Sequence, residues 1–224
     1  MFVQEQVPLA PRTTLPIRSP THYLIANQTA EDARAAVEFA RSKSLSLFVL
    51  GGGSNLIVSD KGWPGLVLKL AIAGTQQRPE KGRTLFEVGA GEEWDKFVAF
   101  AVGKNCAGVE CLSGIPGSVG GTPVQNVGAY GQEVAETIES VHALDVETLE
   151  VREIPKKDCG FSYRSSIFNT TERGRYIILK TTYSLLPGGT PKIEYADLKK
   201  YFAGWRETPT LADAREAIRQ IRAS

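Results

Sequence analysis

The feature that most constrains this chain is a long glycine-rich segment near its middle, LSGIPGSVGGTPVQNVGAYGQEV, at residues 112–134 of 224. Six glycines make a helix interior unfavourable here, because glycine is a poor helix former. The apolar content argues against disorder. Ordered connections of this length usually have a function. Serine, threonine, asparagine and glutamine side chains lie between the glycines, so the segment predicts one wall of a ligand site.

A second glycine-rich stretch, VLGGGSNLIVSD, lies at residues 49–60. Its three glycines, residues 51–53, separate two apolar runs that we predict as strands, residues 45–50 and 56–58. Glycine permits positive φ angles, and successive N–H groups can form an anion-binding nest. No lysine follows as in a P-loop, and no helix follows as in a Rossmann turn. Alone, the stretch fits an anion nest and a plain tight turn equally well. Together, the two segments favour a clamp around an extended phosphate-bearing ligand such as a dinucleotide.

Composition excludes several classes of protein. The formal net charge of +1 argues against a general nucleic-acid binder. No apolar segment approaches membrane-spanning length, and the first residues do not resemble a signal peptide. Three cysteines without zinc-like spacing indicate reduced thiols and a cytoplasmic chain. Two isolated histidines argue against a histidine-based metal site or a serine–histidine–aspartate triad. We therefore predict no nucleic acid partner, no membrane insertion and no metal.

Hydrophobic periodicity predicts a chain of mixed helices and strands. Helices are expected at residues 27–44, capped by Thr29, at 92–105, and at 208–224, capped by Thr210. Strands are expected at residues 65–70, 84–91 and 176–186, with a hairpin over 139–154. Residues 1–20 predict an extended lead-in, and the first α/β unit is expected to end near residue 72. The arginines of the last helix, Arg215, Arg219 and Arg222, fit a solvated face.

A third candidate feature is GFSYRSSIF, at residues 160–168. Arg164, between an aromatic residue and two serines, suits an anion in a partly dry site, and it also fits a surface loop. Tyr195 fits both a core residue and a ligand contact. Cys159 fits a small buried side chain better than a nucleophile, since no histidine is near it in sequence.

The strings LGGGSNLIVSD, SGIPGSVGGTPVQNVGAYGQEV and YRSSIF together resemble the UDP-N-acetylenolpyruvoylglucosamine reductase, or MurB, family, from about Val7 to Arg222. The resemblance implies an α+β fold of the vanillyl-alcohol-oxidase and p-cresol methylhydroxylase type, with FAD between two α+β subdomains. These would be residues 1–72 and 73–205, followed by a helix at 206–224 that leads to a missing substrate-binding domain.

The resemblance also implies site residues. Arg164 would be catalytic, because it matches the arginine that engages the substrate carboxylate and stabilises the developing enolate. The implied substrate-binding residues are Tyr163, Arg164, Tyr195 and Arg222. The implied FAD-binding residues are Leu50, Gly51, Gly52, Gly53, Ser54, Asn55, Leu56, Ile115, Pro116, Gly117, Gly120, Gly121, Gln125, Asn126, Gly128, Ala129 and Tyr130.

The implied activity is reduction of a UDP-sugar enolpyruvate in peptidoglycan synthesis, with FAD as cofactor and NADPH as electron donor, by a monomer. The family's catalytic serine, in a GSFFKNP-like motif, and its catalytic glutamate have no counterpart in this sequence. We therefore expect a C-terminally truncated member with little or no turnover. The alternatives are a non-catalytic FAD- or nucleotide-binding module, and a globular interaction protein whose glycines only form turns.

Overall fold

The computed structural model describes residues 2–9, 20–57, 59 and 61–223, and its first sheet has four strands in the order β1-β2-β4-β3. The strands are β1 (Val3–Pro8), β2 (Pro20–Asn27), β3 (Leu47–Leu50) and β4 (Trp63–Leu70). β4 is parallel to both β2 and β3, whereas β1 runs antiparallel to β2. The lead-in predicted over residues 1–20 thus contains an edge strand, and residues 10–19 lie outside the described part.

Helix α1 (Ala30–Ser42) connects β2 to β3 and covers one face of this sheet. Thr29 caps it, since its hydroxyl accepts a hydrogen bond of 3.1 Å from the N–H of Asp32. The face turned to the core consists of small residues, Ala33, Ala36, Val37 and Ala40. The predicted helix and its cap are confirmed, and the small face allows close packing against the sheet.

The second sheet is antiparallel, in the order β11-β10-β12-β6-β5, with a short β7 on β12. Its strands are β5 (Thr75–Glu80), β6 (Arg83–Gly89), β7 (Cys106–Ala107), β10 (Ile138–Asp145), β11 (Val151–Pro155) and β12 (Tyr176–Pro187), while β8 (Gly128–Ala129) and β9 (Gln132–Glu133) pair separately. The hairpin predicted over 139–154 is β10–β11, and the strand predicted over 176–186 is β12. Both predictions are confirmed.

Helix α2 (Trp94–Gly103) anchors the glycine-rich middle segment to the core. Trp94 is fully buried and donates a hydrogen bond of 3.0 Å from Nε1 to the carbonyl of Leu112, where that segment begins. Its ring contacts those of Phe97 and Tyr183. One continuous hydrophobic core joins α1 and β4 of the first sheet to α2, β6, β10 and β12 of the second. The two sheets, with the helices that cover them, therefore share one packed core.

The strand predicted for residues 56–58 is wrong within the described residues, where residues 51–57 contain no strand and Ile57 is 78% exposed. Val58 lies outside the described part. The physical reason is the parallel pairing of β3 with β4, because a parallel connection must travel back along the sheet before the next strand can begin. On that path Leu56 packs against a small cluster that includes Leu50 and Val67.

Two helices close one end of the fold. They are α3 (Ala196–Tyr201), which is too short to give a periodic signal, and α4 (Leu211–Ala223), capped as predicted by Thr210. Both pack on a small cluster around Cys111. All three cysteines are buried free thiols, and burial raises the pKa of Cys111 and of Cys159 to about 12, so neither is a nucleophile at neutral pH. No helix in the described residues is long and apolar enough to cross a membrane.

Candidate functional site

The two glycine-rich segments meet in the structure, as the sequence predicts. A Cβ at Gly52 would lie 2.6 Å from Cα of Gly117, so the two backbones touch at a point that only glycine allows. Hydrogen bonds join the segments beside this contact. Ser54 Oγ donates to the carbonyl of Pro116 over 3.1 Å, and Asn55 Nδ2 donates to Oε1 of Gln125 over 3.2 Å.

A cavity of about 570 Å³, here called the loop cavity, lies where these segments meet. Its walls include Leu50 to Leu56 on one side and Ile115 to Ser118 on the other, with Gly121, Val124 and Gln125 between them. Trp94 forms part of its floor, so the rigid core supports the cavity directly.

A second cavity of about 590 Å³, the apolar cavity, opens from the loop cavity toward α1 and β12. Its side chains are mostly aliphatic or aromatic, for example Val37, Leu47, Tyr176 and Ile178. The residues that line both cavities are Phe48, Val49, Gly51, Gly121, Val124, Phe168 and Arg173. Because they share this wall, the two cavities are adjacent.

A third cavity of about 460 Å³, the arginine cavity, adjoins the loop cavity on its other side. It shares Ile115, Gln125 and Val127 with the loop cavity, and its remaining walls are Gly128, Ala129, Tyr130, Arg164, Tyr195, Asp197 and Arg222. The three cavities lie side by side with the glycine loops lining the middle one, and together they are here called the trough. Such a shape suits a ligand with two separated aromatic parts joined by a polar linker.

Several hydrogen-bond donors at the centre of the trough lack partners among the described residues. Within the described residues, none of the N–H groups at positions 51–56 donates to another part of the chain. The hydroxyl of Ser118 is buried and has no partner among those residues, and a Cβ at Gly51 would lie 2.8 Å from it. Buried donors are normally satisfied, so this donor set fits a ligand rich in acceptor oxygens, such as a diphosphate.

The arginine cavity combines positive charge with an unusual backbone. Arg164 and Tyr130 have φ angles of 54° and 49°, which non-glycine residues rarely adopt. Arg164 Nη2 donates to the carbonyl of Gly128 over 3.1 Å, and the ring of Tyr130 meets that of Tyr195 edge to face at 5.4 Å. Strained residues held in this way concentrate at functional sites. The charged side chains described in the walls of this cavity are Arg164, Arg222 and Asp197. Positive charge therefore exceeds negative charge, and the cavity suits an anion.

The structure brings together all but two of the predicted site residues. Asn126 is buried away from the trough, where Nδ2 donates to Glu133 and to the carbonyl of Ser162, and Oδ1 accepts from the N–H of Ala135. Tyr163 is 82% exposed and lines none of the three cavities. Asn126 therefore shapes the loop through its own amide, although its residue type and position matched the ligand-binding pattern.

Sequence reasoning missed two arginines that matter here. Arg173 lines both the loop cavity and the apolar cavity, and no pattern in its neighbourhood points to a ligand. The solvated face predicted for Arg215 is wrong, because its guanidinium makes a bidentate pair with Asp95 at 2.6 and 2.8 Å. A helical repeat shows which residues share a face, and it does not show which neighbouring element that face meets.

Comparisons with known proteins agree with this geometry. The family model described as FAD binding domain matches residues 21–152. The UDP-N-acetylenolpyruvoylglucosamine reductase of Streptomyces avermitilis is 41% identical over 227 residues, covering 99% of this chain and 61% of that protein. The present chain therefore spans about three-fifths of that relative's length.

Solved structures show the same relationship. The MurB structure from Thermus caldophilus superposes with a TM-score of 0.68 at 26% identity, covering 99% of this chain and 70% of that one. A vanillyl-alcohol-oxidase-type flavoprotein from Myceliophthora thermophila gives a TM-score of 0.55 at 16% identity, covering 76% and 33%, and shows a shared fold.

The predicted α+β flavoprotein fold and the resemblance to the MurB family are confirmed. The family model covers more than half of the chain, and its match runs from β2 into β11, across the first glycine-rich stretch and the long glycine-rich segment. The chain therefore belongs to the FAD binding domain family.

Proposed function

We propose that the trough holds FAD and that the chain is the flavin-binding part of a UDP-N-acetylenolpyruvoylglucosamine reductase. The observation that carries the proposal is the meeting of the two glycine-rich segments in the middle of three adjoining cavities, beside donors that have no partner among the described residues. The N–H groups of residues 51–56 and the Ser118 hydroxyl would hold the diphosphate of FAD. When bound, FAD supplies a carrier that accepts a hydride from one partner and passes it to another.

The arginine cavity would hold the substrate beside the cofactor. The guanidinium of Arg164 is positively charged and planar, so it can bind a carboxylate through two hydrogen bonds. Placed against an enolpyruvyl carboxylate, it would stabilise negative charge that develops during reduction. Arg222 and Tyr195 line the same cavity and would contact the nucleotide part. The reductase names of the relatives support a UDP-sugar enolpyruvate as substrate. The resemblance to the family adds NADPH as electron donor and a place in peptidoglycan synthesis to the proposal.

Absorption spectroscopy tests this proposal. We expect the purified chain to bind FAD with visible flavin bands, and we expect the UDP-sugar enolpyruvate to perturb those bands when it enters the arginine cavity. Bound FAD that responds to neither the substrate nor NADPH would favour the alternative, a non-catalytic FAD-binding module. A chain that takes up no FAD would refute both. Low turnover by this polypeptide stays a prediction, and steady-state oxidation of NADPH with the enolpyruvyl substrate measures it.

Gly121→Ala tests the position of the cofactor. A Cβ at Gly121 meets no atom of the described residues within 4 Å, yet Gly121 lines both the loop cavity and the apolar cavity. The added methyl group would therefore enter the trough without disturbing the fold. We expect FAD to bind about tenfold more weakly, a loss of about 1.4 kcal/mol, with an unchanged Tm of the cofactor-free protein. Calorimetric titration and thermal unfolding measure the two effects.

Gly103→Ala is the matched control, because its Cβ also meets open space and Gly103 lies outside the trough, at the end of α2. This variant should bind FAD as the unaltered chain does. Unchanged FAD affinity in Gly121→Ala would place the cofactor away from this part of the wall.

A further inference from the structure

We infer that Arg173 is the cation that binds the diphosphate of the dinucleotide in the trough. The inference rests on the proposed binding of FAD there and adds a residue that neither glycine-rich segment contains. Arg173 lies in the turn between Asn169 and β12, which the glycine-rich segments reach only in the folded chain. It lines the wall shared by the loop cavity and the apolar cavity.

The charged side chains described in the walls of the loop cavity and the apolar cavity are all arginines. In the described residues that line the loop cavity, Arg173 is the one charged side chain. The apolar cavity is lined by two charged residues, Arg41 and Arg173, and by no described carboxylate. A diphosphate carries negative charge that is costly to bring into a partly dry site without a counter-charge. Any such counter-charge from the walls of these two cavities must come from one of these two arginines.

Arg41 is already engaged by backbone acceptors. Its guanidinium donates to the carbonyl oxygens of Val146 and Glu147, in the turn between β10 and β11. These contacts tie α1 to that turn and orient the arginine toward backbone acceptors. Arg41 therefore stabilises the contact between α1 and the second sheet. Some of its donors are already hydrogen-bonded before any ligand binds.

Arg173 differs from Arg41, because its guanidinium is not engaged by any of the described residues. Within the described residues its side chain makes no hydrogen bond or ion pair, and the neighbouring acid, Glu172, pairs at 2.9 Å with Arg175. Arg175 also binds the buried carboxylate of Asp145, so it holds the local acids away from Arg173. The backbone is fixed meanwhile, since the N–H of Arg173 donates to Thr170 over 3.2 Å.

The position of Arg173 in the trough also suits contact with the diphosphate. The wall shared by the two cavities also contains Gly51, the first residue of the glycine loop. A dinucleotide with one base in the apolar cavity and the rest directed toward the arginine cavity would pass along this shared wall, which contains both Gly51 and Arg173. A guanidinium can bind phosphate oxygens through two parallel hydrogen bonds, whereas backbone N–H groups supply donors without full charge. The backbone N–H groups of the glycine loop and the guanidinium of Arg173 would thus both bind the diphosphate.

Calorimetric titration with FAD at 25 and 500 mM KCl tests the inference in the full chain. We expect Arg173→Gln to raise the Kd at low salt about tenfold, and we expect its Kd to depend less on salt than that of the unaltered chain, because screening weakens a charge pair. Arg173→Lys keeps the charge but loses the planar guanidinium, so its Kd for FAD should lie between those of the unaltered chain and Arg173→Gln. Circular dichroism and Tm should be unchanged, since the residue is exposed and its side chain makes no hydrogen bond or ion pair among the described residues.

Arg78→Gln is the control, because this exposed arginine pairs with Glu80 on β5 and lines none of the three cavities. It should leave the Kd and its salt dependence unaltered. If Arg173→Gln binds FAD with the same Kd and the same salt dependence as the unaltered chain, the inference is wrong and the proposed cofactor site stands. If the unaltered chain binds no FAD, the proposed function itself fails, and the inference fails with it.

Discussion

Replacing Gly52 by alanine is expected to raise the Kd for FAD at least 100-fold. The new Cβ would lie 2.6 and 2.7 Å from Cα and C of Gly117 and 2.9 Å from the N of Ser118. These are backbone atoms, so no side-chain rotation relieves the overlap, and the two glycine-rich segments must move apart. Their separation would displace the donors on both sides of the loop cavity, where small misplacements cost much binding energy.

The same substitution is expected to lower the free energy of unfolding by about 2 kcal/mol, because overpacking against fixed backbone forces local rearrangement. Titration with FAD and urea denaturation of the cofactor-free protein measure the two effects. Gly103→Ala makes the identical chemical change where a Cβ meets open space, and it should alter neither quantity. Normal FAD affinity in Gly52→Ala would show that the contact between the segments is not needed for the site.

The elements predicted correctly are those whose signal is local. Helix α1 has a capping threonine at Thr29 and small residues at helical spacing, and helix α2 has a stripe of large apolar residues that begins at Trp94. The glycines of the two loops are equally local signals, because only glycine tolerates a contact such as that of Gly52 with Gly117. Local physics thus predicts both the frame of the trough and the loops at its centre.

The errors arose where a neighbour distant in sequence decides the outcome. Residues 56–58 have the composition of a strand, but the parallel pairing of β3 with β4 leaves them on the return path. Asn126 has an amide that could contact a ligand, but this amide donates its hydrogen bonds to Glu133 and to the Ser162 carbonyl. Arg173 shows no pattern at all, because its position beside Gly51 exists only after the chain has folded. Such pairings depend on tertiary packing, which residue patterns alone do not encode.

Asp95→Asn is expected to lower the free energy of unfolding at pH 7 by about 2 kcal/mol, the range for hydrogen bonds to charged groups. Asp95 accepts two hydrogen bonds from Arg215 and a third of 2.6 Å from the N–H of Gly114. The pair is largely shielded, with 28% of the Asp95 side chain and 15% of the Arg215 side chain exposed. The substitution removes the charge and one of the acceptor oxygens, and it leaves Arg215 without its counter-ion.

The interaction also supports the candidate site, because it ties α4 to the beginning of the glycine-rich segment. Arg222, one of the two cations of the arginine cavity, lies on α4, and its Cδ would be 3.4 Å from a Cβ at Gly114. Loosening α4 should therefore weaken anion binding in that cavity as well as stability. Glu80→Gln provides the control, since its pair with Arg78 is exposed and such pairs contribute little.

The effect of Asp95→Asn should depend on pH in one direction. Hydrogen bonds from Arg215, assisted by the Gly114 N–H, hold the pKa of the Asp95 carboxyl below its ordinary value, against the opposing effect of burial. A lowered pKa in the folded state stabilises the fold above the unfolded pKa of about 4, and this stabilisation disappears as the pH falls through the folded pKa. Urea denaturation from pH 7 to pH 3 should therefore show a constant difference between the two proteins above about pH 4. Below that pH the difference should shrink, because protonation removes from the unaltered chain the same charge that the substitution removes. A difference that stays constant down to pH 3 would mean that packing, and not the charge of Asp95, holds α4 in place.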